Sequence, residues 1–92
     1  MTVKELEAAL GTQPAVKVAR REWPKLGVGF VENQVHDTGC GGLLRVGKLG
    51  QRLVAVEEAT PTHLAVRALH GKREAARFVQ SRLDAYDRLW DG

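Results

Sequence analysis

The apolar positions of the chain change period twice, and each change marks a new kind of element. Over residues 2–10, Val3, Leu6 and Leu10 recur at helical spacing, which predicts a short amphipathic helix. Thr2 followed by Glu5 reads as a capping box at its start, and Gly11 supplies the stop. From Pro14 the period becomes two. In "AVKVARREW", Val16 and Val18 alternate with Lys17, an extended segment broken at Trp23-Pro24 because the residue before a proline is pushed out of helical geometry. "GVGFVENQV" (27–35) predicts a second strand with Val28 and Phe30 on one face, and the glycine-rich "HDTGCGG" (36–42) predicts a loop. A meander follows: "LLRV" (43–46), "RLVAVEE" (52–58) and "HLAVRALH" (63–70) as strands, with turns at 47–51 and 59–62.

After Gly71 the spacing returns to three and four. Ala75, Phe78, Val79, Leu83, Tyr86, Leu89 and Trp90 form a broad apolar stripe on a helix from about Lys72 to Trp90, with Arg73, Arg77, Gln80, Asp84, Asp87 and Asp91 opposite. Such a stripe needs a sheet to cover. The expected class is therefore α+β: an antiparallel sheet of four or five strands, with a short N-terminal helix and a long C-terminal helix packed on one face.

Length and composition narrow the possibilities. Ninety-two residues make a single domain, 1–92, with room for one modest core. Aromatics are only 5% of the chain, so Val, Leu and Ala must build that core. No apolar run reaches the roughly 20 residues of a membrane span, and "MTVKELEAALG" lacks a signal-peptide apolar stretch. With a single cysteine, Cys40, there is no internal disulfide framework, and a cytoplasmic location is expected. The net charge of +3 permits nucleic acid as a partner without demanding it. Its distribution says more. Lys17, Arg20, Arg21 and Lys25 gather in one segment against Glu22, and Arg52, Arg67, Lys72, Arg73 and Arg77 in another against Glu57, Glu58 and Glu74.

Little in the chain suggests catalysis or a cofactor. Cys40, His36, His63 and His70 are residue types that zinc accepts. Seven residues along one strand, however, would put His63 and His70 on opposite faces and over ~20 Å apart, so they cannot share a metal. Cys40 with His36 and Asp37 would be a nucleophile and base held only by a glycine-rich loop. "GCGGLLRVGK" has glycines and a lysine without the order of a phosphate-binding loop. A non-enzymatic protein without cofactor or metal is expected.

The strongest lead is the start of the last helix, "HGKREAARFVQ" (70–80). A helix N-terminus carries unpaired N–H groups and a partial positive charge, so Lys72 and Arg73 there cost roughly 0.3–1 kcal/mol each unless something neutralises them. A phosphate docked at that turn would do so. Residues 43–83, three short strands and a helix opening with Lys72, Glu74 and Ala75, resemble the arm-type DNA-binding domains of tyrosine recombinases. The resemblance implies a sheet face that enters the major groove, with Arg45, Arg52 and Arg67 as readers and Lys72 and Arg73 as phosphate clamps. The chain departs from the family pattern at His70-Gly71, where the family has a threonine, and its first forty residues have no counterpart there. Arg77, Arg20, Arg21 and Lys25 would add phosphate contacts. The alternative is a protein-interaction or inhibitory module of phage or mobile-element type, binding an acidic protein surface. Trp23 and Trp90 could serve it as anchors, although the expected role of Trp90 is to close the helix–sheet core and that of Trp23 to pin a turn to the core, and self-association through a sheet edge is open to either reading.

Overall fold

Helix α1 (Val3–Leu10) begins as its capping pattern directs, with the Thr2 hydroxyl accepting the Glu5 N–H at 3.2 Å. Leu6 and Leu10 are buried. The computed structural model describes residues 1–39 and 42–91, the last two of these by backbone alone. Strand β1 (Ala15–Ala19) is shorter than its alternation suggested and stops before Arg20. Trp23-Pro24 starts a one-turn helix, α2 (Trp23–Leu26), in which the proline occupies a first-turn position where a missing N–H costs nothing. A 3-10 turn, Gly27–Gly29, then leads into β2 (Phe30–Asp37). Val28, expected beside Phe30 on a strand face, lies in that turn and is 84% exposed. The strand instead runs on through His36 and Asp37, which the glycines that follow had suggested were loop.

The meander is made of β3 (Leu43–Leu49), β4 (Arg52–Thr60) and β5 (His63–Ala68), followed by helix α3 (Lys72–Asp91). All five strands join one antiparallel sheet in the order β1-β5-β4-β3-β2. The α+β class follows directly. The β3–β4 turn is two residues long, and Gly47, which the sequence places in that turn, lies inside β3. Its glycine has another cause: a Cβ there would run into the Val31 carbonyl oxygen of β2. The β2 register shifts beside it, between Glu32 and Gln34, as at a β-bulge that brings two backbones together.

The two helices take opposite faces of the sheet rather than one. Leu6 and Leu10 of α1 and Leu26 of α2 pack with Val18, Leu49, Val54, Val56, Val66 and Ala68. On the other face, Ala75 and Val79 of α3 pack with Leu44, Val46, Ala55 and Leu69, joined by Leu53, Phe78 and Leu83. Alternation along β4 sends Val54 and Val56 one way and Leu53 and Ala55 the other. The continuous apolar run "LVAV" is the pattern of a strand covered on both sides. Each fully buried side chain of the Leu44 or Val54 kind contributes roughly 1.5–3 kcal/mol. No helix among the described residues is long and apolar enough to cross a membrane.

Candidate functional site

The chain enters α3 through Gly71, whose φ of 114° is open to glycine and strained for any other residue. The His70 N–H donates to Glu74 Oε2 at 2.9 Å. Glu74 thereby satisfies a backbone donor and brings a carboxylate to the positive end of the helix. This accounts for part of the reversed charge pattern. It leaves Lys72, Arg73 and Arg77, all exposed, and no ion pair among the described residues involves any of them.

A fourth cation joins this corner from the sheet. Lys48 is exposed on β3, directly across from Leu53 and therefore on the face that α3 covers. Leu53 packs into the α3 core, and its carbonyl accepts the Leu69 N–H at 2.9 Å just before the helix begins. Lys48 thus stands at the end of the sheet where α3 starts. Reading residues 47–51 as a turn hid it. The alternation Leu44, Val46, Lys48 was the signal that could have found it.

The arginines expected to read from the sheet do not share a face. Arg45 pairs across the strands with Val56, on the side of α1 and α2, and meets Glu32 at 3.5 Å. Arg52 lies on that side too, and its Nε donates to the Glu7 carbonyl at 3.1 Å, capping an α1 whose last turn has no basic residue of its own. Arg67 pairs with Ala55 and so lies on the opposite face, under α3, with its guanidinium 5.2 Å from the Phe78 ring centroid. Helix α1 covers part of the face that a sheet-in-groove geometry would use, and Arg52 is committed to it. These residues form no single reading surface.

The cations of the first basic segment are separate again. Arg20 meets Glu58 at 2.7 Å. Arg21 and Lys25 are exposed near α2, at the His63 end of β5. The length of β5, about 20 Å at ~3.3 Å per residue, separates that end from the start of α3. The fold therefore does not merge the two basic segments into one patch.

At the far end of α3, the side chain of Glu57 is buried on the helix-covered face. Its Oε2 accepts Arg82 Nε at 3.0 Å and the Tyr86 hydroxyl at 3.1 Å. Burial opposes the Arg82 charge, but Glu57 more than offsets it, and the guanidinium is held above its ordinary value. Burial, reinforced by the Glu57 charge, also pushes the Tyr86 phenol above its ordinary value. This cluster ties helix to sheet. His36 contacts Gln34 on β2, and His63 lies at the start of β5, hydrogen-bonded to Thr62. Cys40 lies outside the described residues, as does the side chain of Trp90. Trp23 packs against the α1-side core with its ring 5.8 Å from that of Phe30.

Compared with protein-family models, curated proteins and solved structures, the chain matches none.

Proposed function

We propose that this chain is a small non-enzymatic domain that binds nucleic acid by its phosphates, at the corner where α3 begins. Lys48, Lys72, Arg73 and Arg77 would make the contacts. One observation carries the reading: Lys48, Lys72, Arg73 and Arg77 are exposed around the end of the sheet where α3 begins, and none of them has an ion pair among the described residues. The first-turn N–H groups of α3 would add donors for the same anion. The contact proposed is with backbone rather than bases, because Arg52 and Arg67 are engaged within the fold.

Fluorescence anisotropy with a labelled DNA duplex at low salt tests this. Lys72→Ala with Arg73→Ala is expected to weaken binding by about tenfold or more. Arg21→Ala with Lys25→Ala should leave it within about twofold, since those residues lie at the other end of β5. Wild-type protein that ignores duplex and single strands but binds polyglutamate would reject nucleic acid and assign the corner to an acidic protein surface.

A further inference from the structure

Helices α1 and α2 leave one end of their sheet face uncovered. A cleft of about 350 Å³ remains there, lined by Trp23 and Pro24 on one side and by Leu43, Val56 and Leu64 beneath, with Arg20, Arg45 and Glu58 at its rim. The register explains why these residues meet. Arg45 lies across from Val56 and Glu58 across from Leu64, so all four side chains leave the sheet on the side of α1 and α2. The volume is at the small end of the range for ligand sites, and the lining is mixed, with apolar side chains and charged ones contributing nearly equally.

The charges at the rim are unequally satisfied. Glu58 is held by Arg20 at 2.7 Å. Glu57 contributes to the cleft wall, but its carboxylate is turned to the other face, where Arg82 and Tyr86 bind it. Arg45 has only a long contact, Nε to Glu32 at 3.5 Å, and donates no hydrogen bond among the described residues. A guanidinium offers five N–H donors in a planar fork that matches a carboxylate in two-point fashion. Arg45 therefore brings an underused fork to a cleft that Trp23, Pro24, Val56 and Leu64 also line.

We propose that this cleft is a binding site for a small monocarboxylic acid with a flat apolar body, its carboxylate on Arg45 and its body between Trp23 and the Val56–Leu64 floor. The site is independent of the basic corner. It lies on the opposite face of the sheet and shares no residue with it.

The test is a two-dimensional ¹H–¹⁵N NMR titration with phenylacetate, with phenylacetamide as the uncharged control. Saturable shifts with phenylacetate at Leu43, Arg45, Val56, Leu64 and the Trp23 indole N–H, and none with phenylacetamide, are expected. Arg45→Ala should weaken phenylacetate about tenfold or more. Arg45→Lys should recover part of that loss, while Arg73→Ala should change nothing. A preserved wild-type spectrum away from the cleft keeps the Arg45→Ala result interpretable. Because Arg45 lies outside the core clusters, the variant is expected to fold. The proposal is overturned if phenylacetate causes no saturable shift, if phenylacetamide shifts the same residues equally, or if Arg45→Ala binds as tightly as wild type.

Discussion

Glu57 shows how a single buried charge can hold two layers in register. A carboxylate that is only 5% exposed would be costly without partners, and it has two, both on α3 and four residues apart: Arg82 and Tyr86. The arrangement has a pH signature. Tyr86 has a raised value in the fold, so the folded state retains its phenol proton where the unfolded chain has lost it. The contribution of Tyr86 to stability is therefore complete below its ordinary value of 10.0 and is lost as pH rises through the folded one. As the chain has a single tyrosine, the phenolate absorbance band reports this group directly. That titration is expected to lie above that of unfolded protein in denaturant; coincident curves would contradict the burial and charge assigned to Tyr86. Gly47 offers a second check at this scale. Gly47→Ala forces a methyl against the Val31 carbonyl and should lower stability by roughly 1–3 kcal/mol in denaturant unfolding. Neither residue announced its role in the sequence, because Glu57 counted only in the charge balance of its segment and Gly47 fell in an expected turn.

At the scale of elements, period and punctuation were good guides to what forms and poorer guides to where it ends. Helix α1 was legible from Thr2, Glu5 and its Leu spacing, and α3 from its stripe. The errors have physical causes. Pro24 was read as a breaker, yet a first-turn proline is compatible with a helix. Val28 and Phe30 matched a strand period although glycines on both sides of Val28 allow a tighter turn. The division of the helices between two faces was written in the unbroken "LVAV" of β4, which a one-sided sheet would not need. Long-range support was not legible at all: nothing in the sequence links Arg52 to the end of α1. Arg52→Ala should remove its bond to the Glu7 carbonyl and cost about 1 kcal/mol. It should also speed amide hydrogen exchange at Leu10 and Gly11 more than in α3. Equal effects on both helices would mean that Arg52 supports the whole fold and not that helix end.

For the whole molecule, the sheet sorts the charges more than the net value of +3 suggests. Arg20 is drawn into a close ion pair with Glu58 on the α1 side, Arg45 keeps only a long contact with Glu32, and Arg67 is tucked against Phe78. Lys48, Lys72, Arg73 and Arg77 remain exposed around the start of α3, with no ion pair among the described residues. Sequence reasoning located the helix start but not this selection, because pairing across the sheet depends on register. The measurement that bears most directly on the account is the salt dependence of duplex binding. Each phosphate contact releases counterions, so the logarithm of affinity should fall against the logarithm of salt with a slope between about −2 and −4 for this corner. Lys72→Ala and Arg73→Ala should each reduce that slope by about 0.9, and Arg21→Ala should leave it unchanged. A slope near zero, or one that Arg21→Ala lowers while Lys72→Ala and Arg73→Ala do not, would contradict the account.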